Sequence, residues 1–293
     1  PHRRRPRCLQ PHSTLKSPIR LFSTFALNEH VLEDFGRNGG LYLTSIFRFP
    51  RLRSLISAPM SRRYGWRFRE LEAEIVRNSP ALNITYTPRS FQVYANEFPQ
   101  SRYAFVGASI DGRRHEPFEP PAGRGSLVYI SLGTELNKSE RFFRRCVEAF
   151  ASTGMRVVMA IGDSVRPESL GPVPPTMMVR RRVPQLEVLS RASLFITHGG
   201  MNSVNEALFY GVPMLVVPVG NDQPTVARRV EELGLGEALD IREATPDVLR
   251  EAAMRVLSDR ECHARLSEFR QETRNAGGNA KAVKLIIKQL DRA

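Results

Sequence analysis

The sequence has no apolar run long enough to cross a bilayer. Its uninterrupted runs, such as Leu127 to Ile130 and Met214 to Val217, fall far short of the ~20 residues that a spanning helix needs. Cysteine is scarce as well. Cys8, Cys146 and Cys262 make neither a C-x-x-C pair nor an even disulfide framework, which favours a reducing compartment, and the cytoplasm is the expected location. Acidic residues are missing before Glu29, and the opening "PHRRRPRCLQPHSTLKSPIR" has neither an initiator Met nor an apolar h-region, so it is not a secretory signal as it stands. This start is expected to be that of a chain whose true beginning is missing or mistranslated. An organelle transit peptide and a nucleic-acid arm rank behind that reading.

The formal charge of +13 is local: residues 1 to 70 hold 14 Lys+Arg against 4 Asp+Glu, and the remainder holds 29 against 26. A nucleic-acid binder would offer a basic face and a steep salt dependence. The balanced remainder offers no such face in sequence, and no nucleic-acid partner is expected.

What is present is enough apolar residue, 41% of 293, for one large core or two smaller ones. From Ser126 onward strands and helices alternate. "SLVYIS" reads as a buried strand, Ser139 to Ser152 as a helix, "MRVVMAI" (155 to 161) and "TMMVRR" (176 to 181) as strands, and "PQLEVLSR" (184 to 191) as a short helix. "SLFITH" is the next strand, Asn202 to Tyr210 a helix ended by Gly211, and "PMLVVPV" another strand. A helix from Gln223 to Leu233, a small strand "GEALDI" and further helices follow. This α/β alternation predicts a doubly wound parallel sheet, whose ligands sit at the carboxyl ends of the strands.

Residues 19 to 110 carry a helix at Tyr64 to Asn78 and a strand "LNITYT" (82 to 87) but no repeating βα series, and they read as a partial domain. The polar, Pro- and Gly-bearing segment 111–125 is linker chemistry. The expected organisation is therefore a basic irregular start (1–18), a partial N-terminal domain (19–110), the linker (111–125) and a complete C-terminal domain (126–293), whose last helix is a candidate to return to the N-terminal domain.

The junction "FITHGGMNSVNEALFYGVPMLVVPVGNDQP" (195 to 224) holds the chemistry. Its "HGGMNS" turn lies where a helix N-terminus presents unpaired N–H groups and positive dipole, and glycines let an anion approach the backbone. Phosphate is the expected guest. Asn202, Ser203 and His198 add side-chain donors, and Glu206, one turn further in, suits ribose hydroxyls. A lone Gly-Gly would be better read as a plain turn. Here "SLGT" (131 to 134), "RVPQ" (182 to 185) and "NDQP" (221 to 224) supply further polar groups at neighbouring strand ends.

Together "VPQLEVLSRASLFITHGGMNSVNEALFYGVPMLVVPVGNDQP" and "SLVYISLGT" resemble the donor signature of family 1 glycosyltransferases, UDP-sugar-dependent enzymes of the GT-B fold, and especially their bacterial macrolide-glycosyltransferase-like branch. "YTPRSFQVYANEFPQSRYAFVGASI" (86 to 110) and "STFALNEH" (23 to 30) look like pieces of the N-terminal, acceptor-side domain of that branch. The resemblance implies that Val183 and Gln185 contact the uracil and Glu206 the ribose. It implies a diphosphate seat of Thr134, His198, Gly199, Gly200, Asn202 and Ser203, and sugar contacts from Asp222 and Gln223.

It further implies inverting transfer of a hexose, glucose in the first instance, from a UDP-sugar to a hydroxyl of a natural product, phenolic, macrolide or lipid. No metal and no further cofactor are implied. In the family the general base is a histidine early in the N-terminal domain. Only 22 residues precede "STFA" here, and His2, His12, His30, His115 and His263 are not assigned to that role, so the base is expected to be absent and the chain N-terminally truncated. Arg182 stands where many relatives place an aromatic that stacks on the base; its planar guanidinium can also stack. The alternatives are a catalytically impaired nucleotide-sugar-binding fragment and a related GT-B N-acetylglucosaminyltransferase.

Overall fold

The computed structural model describes residues 18–37, 79–110, 116–133 and 139–292. The expected helix at Tyr64 to Asn78 lies outside them. Strands β1 (Ile19–Phe22), β2 (Leu82–Thr85) and β3 (Tyr103–Phe105) form one parallel sheet in that order, with Ile19 opposite Leu82 and Asn83 opposite Tyr103. Helix α1 (Glu29–Arg37) follows β1.

The second sheet contains β4 (Leu127–Ser131), β5 (Arg156–Ala160), β6 (Met177–Arg180), β7 (Leu194–Thr197), β8 (Met214–Val216) and β9 (Gly236–Ala238). Its order is β6-β5-β4-β7-β8-β9, and every pairing is parallel. The helices between and after the strands are α2 (Glu140–Phe150), α3 (Gln185–Leu189), α4 (Met201–Tyr210), α5 (Gln223–Glu232), α6 (Pro246–Ser258), α7 (Arg260–Asn275) and α8 (Gly278–Leu290).

Every position of β4 and β7 is buried, as a sheet covered on both faces requires. Alternate residues serve opposite cores. Leu127, Tyr129 and Phe195 join Val204 and Leu208 of α4 and Val226 and Val230 of α5. Val128, Ile130, Leu194 and Ile196 join Phe142, Phe143 and Phe150 of α2 and Leu249 and Ala253 of α6. Each such side chain contributes about 1.5–3 kcal/mol through burial.

Local signals explain the boundaries. Ser139 caps α2 by accepting from the Phe142 N–H at 3.3 Å, and Gly211 ends α4 in the left-handed region at φ 73°. The strand expected over "PMLVVPV" is limited to Met214–Val216, because Pro218 has no N–H with which to extend the ladder.

The two sheets meet through specific contacts. On α8, Ala282, Leu285 and Ile286 pack against Ile19, Leu82, Ile84, Ala104 and Val106 of the first sheet. The Gly278 N–H donates to the Val106 carbonyl at 2.7 Å. Gly107 allows the close approach: at φ 74°, a Cβ there would lie 2.8 Å from both Ala276 Cβ and the Thr273 carbonyl. Elsewhere the buried Asp34 of α1 accepts from Arg228 of α5 at 2.6 Å and from the Tyr94 hydroxyl at 3.0 Å. Arg229 donates to the carbonyls of Ser90 (2.8 Å) and Phe91 (3.1 Å), which fastens the segment after β2 to α5.

Candidate functional site

A cleft of about 1340 Å³ opens where the strand order turns outward on either side of β4. Ser131, Ala160 and His198 line it from the carboxyl ends of β4, β5 and β7, the place where open parallel sheets bind ligands. Ser23, Thr24 and Leu27, after β1, line the opposite wall together with Leu32 and Phe35 of α1.

Helix α4 points its N-terminus into this cleft. Its N-cap is Gly200, with no side-chain cap bond, so no side chain of the cap takes up the first-turn N–H groups. The His198 imidazole lies between two glycines. A Cβ on Gly133 would come within 2.7 Å of Nε2, and one on Gly200 within 2.5 Å, so a side chain at either position would displace the ring. Burial drives the His198 pKa down to about 4, against the opposing pull of the Asp222 charge and the Ser131 backbone. The ring is therefore neutral at pH 7, and its Nδ1 is buried with no hydrogen-bond partner.

A depressed histidine pKa means that the unfolded chain binds the proton more tightly. The stability that neutral His198 contributes is complete above about pH 6.5 and is lost as pH falls toward about 4. Urea midpoints should accordingly drop across that window in the native chain. The drop should be shallower in His198→Ala, and equal slopes would refute the assignment.

Beside His198 and the N-terminus of α4 lies a polar network. The Gln185 Nε2 donates to Glu206 Oε2 at 2.6 Å and lies 3.3 Å from Ser203 Oγ; its Oε1 accepts from the Tyr129 hydroxyl at 2.9 Å. Tyr129 stacks on Phe195 with 4.7 Å between ring centroids. At the rim Arg182 pairs with Asp163 at 2.7 Å, both side chains well exposed.

Val183, Gln185, His198, Gly200, Asn202, Ser203, Glu206 and Asp222 thus line one cleft, although the chain separates them by up to 39 positions. Two other expected site residues stand behind its wall. Gly199 donates its N–H to Thr197 Oγ1 at 3.3 Å, and Gln223 is buried with its Oε1 accepting from the N–H groups of Val219 (2.8 Å) and Gly220 (3.0 Å). Gln223 in this geometry holds the loop that carries Asp222. Thr134 lies outside the described residues.

Two participants escaped the sequence reading. Thr24 donates to Asp222 Oδ2 at 2.5 Å across 198 positions of chain, a pairing with no local signal. Tyr129 sits inside an apolar strand and reads as core.

The model of the "Erythromycin biosynthesis protein CIII-like, C-terminal domain" family matches residues 144–288. The NDP-glycosyltransferase YjiC of Bacillus licheniformis is 43% identical over 206 residues, covering 69% of this chain and 52% of that protein. The oleandomycin glycosyltransferase of Streptomyces antibioticus is 36% identical over 213 residues, covering 72% and 50%. The crystal structure of the glycotransferase of kitacinnamycin superposes with a TM-score of 0.77 at 35% identity, over 92% of this chain and 70% of that one. The chain belongs to the family 1 glycosyltransferases. Its two-sheet arrangement is the GT-B fold of those relatives. The chain spans about half the length of the curated glycosyltransferases it matches. Among its described residues, no helix is long and apolar enough to cross a membrane.

Proposed function

We propose that this chain binds the donor for an inverting glycosyltransferase that moves a hexose, glucose in the first instance, from a UDP-sugar to a hydroxyl of a small acceptor. One observation carries the reading: the uncapped N-terminus of α4 and the buried His198 ring face the same cleft. In it, the first-turn N–H groups, Asn202, Ser203 and His198 hold the diphosphate, with Gly199 and Gly200 shaping the turn and Thr134 as a further donor. Val183 and Gln185 lie on the base side, Glu206 takes the ribose, and Asp222 takes the sugar with Gln223 beneath it.

Such a seat stabilises the charge that develops on UDP as the sugar departs, while the acceptor oxygen attacks the anomeric carbon from the opposite side. The acceptor oxygen must lose its proton to a general base. No histidine of this chain is proposed for that role. The proposal therefore makes the chain a nucleotide-sugar binder with poor or absent turnover, and robust transfer to a phenolic or macrolide acceptor would overturn it.

The apolar surface of Leu27, Leu32 and Phe35 on the far wall suits a hydroxylated natural product or lipid. No metal or further cofactor enters the proposal. Cys146 and Cys262, buried as free thiols, agree with a reducing compartment, for which we propose the cytoplasm.

Calorimetric titration with UDP and UDP-glucose tests the reading. Gln223→Ala frees the Val219 and Gly220 N–H groups and loosens the Asp222 loop. It should weaken UDP-glucose about 10-fold and UDP less than 2-fold, taking one to two lost hydrogen bonds as the cost. Equal losses for both ligands would remove the sugar side of the proposal.

A further inference from the structure

The Gln185 side chain is expected from the family resemblance to meet the base, yet the structure spends it within the protein. Both its amide groups are engaged: Oε1 accepts from Tyr129 at 2.9 Å, and Nε2 donates to Glu206 at 2.6 Å with Ser203 Oγ at 3.3 Å. The amide orientation is not arbitrary. Turned over, it would set its carbonyl oxygen 2.6 Å from a carboxylate oxygen, an acceptor against an acceptor, and would aim its NH₂ at the tyrosine.

The Tyr129 hydroxyl holds that orientation from the other side. Burial raises its pKa well above the ordinary phenol value, so at neutral pH it remains a protonated donor. The ring itself has no latitude: it is 1% exposed and stacked within 6° of parallel on Phe195.

We propose that Tyr129 is a positioning residue for ribose recognition, acting through Gln185 to fix the plane of the Glu206 carboxylate. This rests on the reading of the cleft as a nucleotide-sugar site. Glu206 is 5% exposed, and a buried carboxylate receives a vicinal diol with both hydroxyls well aligned only in a narrow range of orientations. Through Tyr129 and Gln185, a strand of the sheet core sets that orientation. Gln185 then acts mainly on Glu206 and Ser203, and the polypeptide backbone around Val183 is left to meet the base edge. The consequence is a specificity: the site distinguishes ribonucleotides from 2′-deoxyribonucleotides, and Tyr129 supports the distinction through Gln185.

Titrating the chain of 293 residues with UDP and with 2′-deoxy-UDP tests this. The native chain should bind UDP at least 10-fold more tightly than 2′-deoxy-UDP. Tyr129→Phe, which keeps the stacked ring and removes only the hydroxyl, should weaken UDP about 5-fold and 2′-deoxy-UDP less than 2-fold, so the preference shrinks. Equal weakening of the two ligands, or none, would overturn the positioning role while leaving the nucleotide reading intact. A native chain that binds neither nucleotide would overturn the nucleotide reading itself and this role with it. If Tyr129→Phe melts early, Gln185→Leu, which cuts the same path at its next link, should lose the preference likewise. Retention of the preference in that variant would equally overturn the role.

Discussion

His198→Ala is expected to lower affinity for UDP about 10- to 100-fold with little change in fold, as measured by calorimetry and thermal melting. A hydrogen bond to a charged group is worth about 1.5–3 kcal/mol, and truncation here would remove the donor proposed for the diphosphate rather than a packing contact deep in the core. The ring is delivered by β7 into a space that Gly133 and Gly200 keep clear. Gly200→Ala should therefore approach the same loss by a different route, because its Cβ would stand 2.5 Å from the imidazole and force the ring aside. Unchanged UDP affinity in both variants would place the phosphates elsewhere. A loss in His198→Ala alone would mean that the ring tolerates movement.

Phe195→Ala should produce the largest loss of stability, about 3–5 kcal/mol by urea denaturation. Phe195 is fully buried in the central strand β7, and its ring lies flat against Tyr129 across the β4–β7 pair, where Tyr129 is directly opposite it in register. Truncation leaves a cavity under Tyr129 as well as a missing side chain. Affinity for UDP should fall along with stability, since Tyr129 would no longer hold Gln185 in place. A destabilisation below about 1.5 kcal/mol would mean that helices α4 and α5 close over the gap more fully than a sheet-centred core permits.

The donor-side fold was legible because its strands are nearly continuous apolar runs separated by turns and helices, a pattern that only a parallel sheet covered on both faces satisfies. Gly211 after Tyr210 marked a helix end that the structure has, and the helix read over Ser139 to Ser152 spans Glu140–Phe150 with Ser139 as its cap. The cleft was legible in part. "HGGMNS" put a helix N-terminus and His198 at one strand end, and parallel topology alone brings the ends of β4, β5 and β7 together.

Burial and partnership at the site were not legible. Gln223 and Asp222 are adjacent polar residues in the sequence, but the first turn of α5 sends one under the loop and leaves the other facing Thr24. Tyr129 stands between Val128 and Ile130 in an apolar run, and only the register with β7 and the approach of α3 give its hydroxyl a partner. Near the chain start, the contact of Asp34 with Arg228 spans 194 positions and depends on how α1 meets α5, which no local pattern encodes.

The packing of α8 bears on where this polypeptide can be cut. By sequence order α8 closes the donor half, yet its apolar residues Ala282, Leu285 and Ile286 are core of the other sheet. A fragment beginning after residue 125 would keep that helix while losing the surface it covers, adding an orphan apolar face to the already exposed Val283, Ile287 and Leu290. Trimming such a fragment before Gly278 removes the liability, because Val106, to which the Gly278 N–H donates, has already gone with the first sheet. Helix α8 is in this sense the hem that keeps the two halves from fraying apart.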